Sequence, residues 1–265
     1  MNKLLWPMLL LGLPFAAVAQ AGQENDGESA GPARWGLGVG VMVNDSPYAG
    51  EGTRVMPVPL VSYHGERFYL RGISVGWKFV NNEALELSVL TKPRLDGFDV
   101  DDLGRRELAV NGIDRGLLED RDKALDVGVD MKWKGRAGQL DLELLADATD
   151  KSGGQEASLS YSYSFELGNG VLTPNVGVTW KSKDMANYYY GTLDEEVARG
   201  VVDYKPDAVT VPYVGVNYYR PLGEKWSLLG FARYSSLPDE IKDSPLIERD
   251  TDGTASVFIG LTRSF

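Results

Sequence analysis

The sequence contains no cysteine and a single histidine, His64. Without cysteine there is no disulfide, no thiolate metal site and no cysteine nucleophile. Basic residues are also short. Lys and Arg number 27 against 38 Asp and Glu, for a net charge of -11. That excludes nucleic acid as a partner, because such a surface needs a basic face. Beyond the first residues no segment reaches the roughly 18 apolar residues of a membrane helix. Clear 3.6-residue periodicity is scarce throughout.

What is present begins with "MNKLLWPMLLLGLPFAAVAQA". Lys3 gives a basic start, an apolar stretch runs from Leu4 to Phe15, and Ala17-Val18-Ala19 is a small-x-small cleavage site. A membrane anchor is the competing reading. The two prolines, the small-residue end and the polar stretch behind it favour a Sec signal peptide over 1–19, or 1–21. The mature chain would then carry a net charge of about −12. Residues 20–33 are polar without apolar period and read as a flexible lead-in.

From residue 34 to residue 265 the dominant pattern is alternation. Trp35, Leu37, Val39, Val41 and Val43 share one parity, with Gly36, Gly38 and Gly40 on the other. Leu125, Val127, Val129, Met131 and Trp133 alternate with Asp126, Gly128, Asp130 and Lys132. Leu159, Tyr161, Tyr163 and Phe165 alternate with serines. Such strands build either a soluble β-sandwich or an outer-membrane barrel. Four features favour the barrel. Several runs reach the length that crosses a membrane at a tilt. The polar faces are rich in Ser, Gly, Asp and Thr, which suit a narrow hydrated lumen. Short turns at 134–138, 167–170 and 221–224 contrast with long connections at 93–121, 181–209 and 235–252. Finally Trp35, Tyr63, Trp77, Trp133, Phe165, Trp226 and Phe265 all fall at ends that the loop lengths assign to the periplasm. That is an aromatic girdle.

The expected fold is therefore all-β: a transmembrane antiparallel up-and-down barrel in the outer membrane of a Gram-negative cell. Strands are expected near 34–43, 55–63, 66–71, 73–79, 84–92, 122–134, 138–147, 156–166, 171–180, 210–220, 225–234 and 253–265. A tight hairpin at Arg71-Gly72 gives twelve. A bulge there would merge two strands, and ten is the alternative even count. Lumen-facing Lys78, Asp126, Asp130, Lys132, Glu143, Glu166 and Arg233 have both signs and should pair, which favours a closed or very narrow lumen.

The layout, with "VMPVPLVSYHGERFYLRG" (55–72), "DDLGRRELAVNGIDRG" (101–116), "YYYGTLDEEVA" (188–198) and the terminal "SVFIGLTRSF", resembles the MipA/OmpV family of outer-membrane proteins. The resemblance implies an outer-membrane barrel. For its name-giving member it implies a scaffold joining a lytic murein transglycosylase to a peptidoglycan synthase. Other members are linked to adhesion, osmotic stress and cationic peptides. It implies no catalytic motif and no cofactor. A terminal aromatic on the last strand, here Phe265 with Val257, Ile259 and Leu261 outward, implies recognition by the barrel-assembly machinery.

His64 falls at a periplasmic turn, away from where lipid-cleaving or proteolytic barrel enzymes work, so a solvated turn histidine is the better reading. Asp99, Asp101 and Asp102 suggest a calcium site, but the spacing lacks the closing glutamate of a calcium loop, and a solvated loop is favoured. The acidic outer loops should still attract cationic peptides or divalent cations through their general field. Tyr188, Tyr189 and Tyr190 read as loop packing on the barrel rim, with a partner-contacting surface as the alternative. The expected function is a non-enzymatic envelope scaffold or stress-responsive surface protein in contact with outer-membrane lipid and lipopolysaccharide. A narrow solute channel is the alternative, and a lipid-modifying enzyme a weaker one.

Overall fold

The computed structural model describes residues 34–265; the expected signal peptide and lead-in lie outside the described residues. Thirteen strands follow: β1 (Trp35–Asp45), β2 (Thr53–His64), β3 (Phe68–Arg71), β4 (Ser74–Asn81), β5 (Leu85–Arg94), β6 (Ala124–Gly135), β7 (Gly138–Asp147), β8 (Gln155–Ser162), β9 (Phe165–Leu167), β10 (Gly170–Lys181), β11 (Val209–Leu222), β12 (Trp226–Ser236) and β13 (Gly253–Ser264). Chain neighbours pair antiparallel, and β13 returns to β1 with Gly36 opposite Ser264 and Asn44 opposite Ser256. β8 and β9 both pair with β10 and form one interrupted stave. The result is a closed antiparallel barrel of twelve staves, as the alternation implies.

Closure explains the outward hydrophobes. Leu37, Val39 and Val41 on β1 and Val257, Ile259 and Leu261 on β13 stay exposed on the outer face. In a barrel that face meets lipid. Trp35, Trp77, Trp133, Phe165, Trp226 and Phe265 are exposed at one end, and the Trp35 and Tyr63 rings lie 4.8 Å apart. On the inner face the Phe258 ring crosses β1 and β13 where both carry glycine. A Cβ at Gly40 would sit 2.4 Å from that ring and one at Gly260 2.6 Å, so neither position admits a side chain without displacing it.

The expected hairpin is real and short. Gly72 takes φ 59, a left-handed turn that glycine adopts freely. β3 meets β2 only at Ser62, Tyr63 and His64, and β4 reaches no higher on β5 than Val75 opposite Thr91. Above this hairpin the wall has a window framed by β2 and β5. The Arg54 guanidinium bridges to Asp102 at 3.1 Å, tying the top of β2 to the loop after β5.

At the outer end the long loops do more than connect strands. They carry helices α1 (Arg105–Val110), α2 (Lys183–Tyr190), α3 (Asp194–Ala198) and α4 (Asp239–Lys242). Ser182 caps α2 by accepting from the Met185 N–H at 3.5 Å. Tyr48, Phe98, Leu103, Leu108, Ile113, Ala186, Val201, Leu237, Ile241, Leu246 and Ile247 bury one another in a single cluster. Four loops thus build one roof. Each of its larger buried aliphatic side chains stabilises it by about 1.5–3 kcal/mol, taken against full exposure.

Candidate functional site

Under the roof lies a cavity of about 270 Å³. Roof residues Pro47, Tyr190 and Leu237 meet it from above, and Ser158, Ser160 and Ser162 of β8 line one wall. The serines come straight from the alternating pattern, since every second β8 residue points inward.

Most of the remaining lining is charged and paired. In the upper cluster Arg94 contacts Asp96 at 2.9 Å, Asp126 at 2.6 Å and Glu156 at 2.8 Å. Lys181 joins it through Asp96 at 2.7 Å. Two cations thus meet three carboxylates. In the lower cluster Glu86 receives Arg71 at 3.0 Å, Lys78 at 3.0 Å and Lys132 at 3.7 Å, and Lys132 also reaches Asp130 at 3.0 Å. There three cations meet two carboxylates. Lys92 and Glu143 pair at 2.5 Å. Buried charges persist only when matched in this way. Asp96 lies in the loop above β5. Burial opposes its ionisation, but Lys181 and Arg94 hold it well below the usual carboxylate range. The clusters cross-link six staves.

Of the charges expected in the lumen, Lys78, Asp126, Asp130, Lys132 and Glu143 are found there in pairs. Glu166 is not: it is exposed at the periplasmic rim, because β9 is a short piece beyond the break in its stave. Arg233 faces the cavity without a carboxylate partner among the described residues and lies 3.9 Å from the centre of the Tyr213 ring. Arg71, Glu86, Lys92, Arg94, Asp96, Glu156 and Lys181 were missed. Glu86, Lys92 and Arg94 share the inward parity of β5: the first two lie within the expected strand 84–92, and continuing its parity by one step reaches Arg94.

The three tyrosines do not form one surface. Tyr189 is fully buried, while Tyr188 and Tyr190 are half-buried. The Tyr189 carbonyl accepts from the Tyr48 hydroxyl at 3.1 Å, and Tyr190 turns to the cavity. Asp99, Asp101 and Asp102 are exposed, Asp101 pairs with Arg115 at 3.3 Å, and no group of three or more His, Asp or Glu among the described residues is placed to hold a metal. His64 ends β2, and its Nε2 has no hydrogen-bond partner among the described residues.

The roof is pinned by a buried pair. Both oxygens of Glu196 accept from Arg121, each at 2.8 Å, and also from the backbone N–H groups of Glu119 (2.8 Å) and Leu193 (2.7 Å). Burial opposes the Glu196 charge, but the hydrogen bonds and charge of Arg121 bring its pKa below the ordinary value.

A closed barrel with an outward apolar belt, exposed aromatics at one end and a roofed, ion-paired lumen is an outer-membrane β-barrel. The family model described as "MltA-interacting protein MipA" matches residues 37–265, and the chain belongs to that family. Outer membrane protein YiaT of Escherichia coli strain K12 is 32% identical, covering 92% of this chain and 93% of its own. The MltA-interacting protein of the same strain is 31% identical over 97% of this chain and 98% of its own. Outer membrane protein OmpV of Vibrio cholerae is 22% identical over 70% of each. The protein is accordingly located in the outer membrane.

Proposed function

We propose that this barrel is a non-enzymatic scaffold that holds a murein transglycosylase, and with it a peptidoglycan synthase, at the outer membrane. The observation that carries the reading is the lumen: ion-paired clusters cross it and packed loops roof it, which leaves the two rims as the surfaces a protein partner can reach. The 31% identity to a protein named for interacting with MltA, along nearly the full length of both chains, supports the periplasmic rim as the docking face. That rim exposes charges of both signs in its turns: Glu66, Arg67, Glu83, Arg136, Glu224 and Lys225. At the outer rim, exposed carboxylates such as Asp99 and Asp101 give a field that draws cationic peptides.

Photo-crosslinking in intact envelopes tests the scaffold. Probes replacing Arg67, Glu83, Arg136 or Glu224 are expected to capture a transglycosylase, and a probe at Asp99 is not. Adducts from Asp99 alone, or from no rim position, would refute the reading. Stable single-channel steps in planar bilayers would replace it with the channel.

A further inference from the structure

The window in the wall is written into the sequence. In an antiparallel strand, alternate residues turn both N–H and C=O to the same neighbour. The His64 N–H donates to the Arg34 carbonyl at 2.8 Å, on the β1 side, so odd-numbered β2 residues turn toward the window. The Leu85 carbonyl accepts from the Asn82 N–H at 3.0 Å in the β4–β5 turn, so odd-numbered β5 residues face it too. Those odd positions include Pro57, Pro59 and Pro93. Proline has no N–H to leave unpaired. In hydrocarbon an unpaired donor costs several kcal/mol, and a bare edge invites another strand. Prolines on both jambs reduce both problems.

Behind the window is the cavity. Ser74 at the hairpin tip, Pro93 on the β5 jamb and Leu90 all line it, as does Arg233 on the far wall. No β2 residue lines the cavity: on that side Met56, Val58 and Leu60 pack with Ile73 and Leu95 and form an apolar seam that an acyl chain would have to part. The roof shuts the route from outside. Every other cation lining the cavity has a carboxylate within 4 Å; among the described residues Arg233 has none.

We propose that the window is a portal from the outer leaflet into the lumen for an amphiphile with one apolar chain and an anionic head group. The head group sits at Arg233, and the chain runs past Leu90 and Ile73 into the bilayer. The cavity's 270 Å³ admits a head group and the first part of a chain, so the rest of the chain stays in lipid. This inference is independent of the scaffold reading.

The absence of cysteine makes the test clean. Single-cysteine variants Ser74→Cys, Ser160→Cys and Val39→Cys are labelled with bimane in vesicles whose lipids carry brominated acyl chains. Quenching is expected for Val39→Cys and Ser74→Cys and not for Ser160→Cys. An unquenched Ser74→Cys beside a quenched Val39→Cys overturns the portal. Dansyl-undecanoate serves as the anionic probe. Arg233→Met should weaken its binding about tenfold or more, and Arg233→Lys should restore part of it. Heat-modifiable migration confirms that each variant is folded, and unchanged affinity in folded Arg233→Met overturns the head-group site.

Discussion

Replacing Glu196 by alanine should detach the roof without unfolding the barrel. Glu196 and Arg121 are both fully buried, and four hydrogen bonds converge on the Glu196 carboxylate. Arg121 would keep its bonds to the carbonyls of Tyr188, Glu119 and Gly191 but lose its countercharge. Breaking a buried pair from one side costs about 3–5 kcal/mol. Taking about 4 kcal/mol, the open population of the roof rises roughly a thousandfold. None of these contacts involves a strand of the barrel, so the wall should be untouched. Limited proteolysis reads the open population when reclosing outpaces cleavage. Cleavage within 105–121 and 182–208 should accelerate by that order, while the protein stays heat-modifiable. Glu196→Gln, which keeps the shape and loses the charge, should fall between. A cleavage rate unchanged in Glu196→Ala would refute the reasoning, as would loss of the folded barrel.

The same carboxylate and Asp96 predict an acid response. Both are held below their ordinary range, so their contribution is complete above the unfolded pKa and is lost as pH falls through the folded one. The roof should hold at pH 7 and loosen below about pH 4, as hydrogen exchange corrected for intrinsic rates would show. Deleting Phe265 removes its N–H bond to the Trp35 carbonyl at 2.9 Å and the aromatic that terminates β13; membrane-inserted, heat-modifiable protein should fall sharply in cells. Gly72→Val forces a β-branched residue to φ 59 and should lower barrel stability by about 1–2 kcal/mol, read as a shifted urea midpoint. Neutralising Asp99, Asp101 and Asp102 should weaken binding of a cationic peptide at low salt and leave little difference at high salt.

Strands and closure were legible because a period of two survives in most staves, β4 with its register shift near Lys78 and the broken β8–β9 stave being exceptions: Leu125 to Trp133 on β6 is enough to place one face against lipid. The tight hairpin was legible from Gly72. The roof was not. Leu103, Leu108, Ile113, Leu237 and Ile241 come from loops far apart in the chain, and their spacing follows no local period. Each apolar residue there looks isolated until a partner from another loop is known. The upper ion cluster was hidden for a related reason. Arg94, Asp126, Glu156 and Lys181 occupy four strands, and only the closed barrel sets them side by side. The window was half legible. Pro57 and Pro59 share a parity, but what they face depends on the length of the neighbouring strand.

The roof draws on residues almost two hundred positions apart: the Ala49 N–H donates to the Leu246 carbonyl at 2.9 Å, and Tyr48 reaches Tyr189. Its pieces meet only when the strands carrying them are in place. Each long loop must therefore cross the bilayer open and polar-backboned, and fold on the far side. Protease resistance of the roof becomes a timer: it starts only when β13 has closed on β1, and it marks finished molecules among those still being inserted.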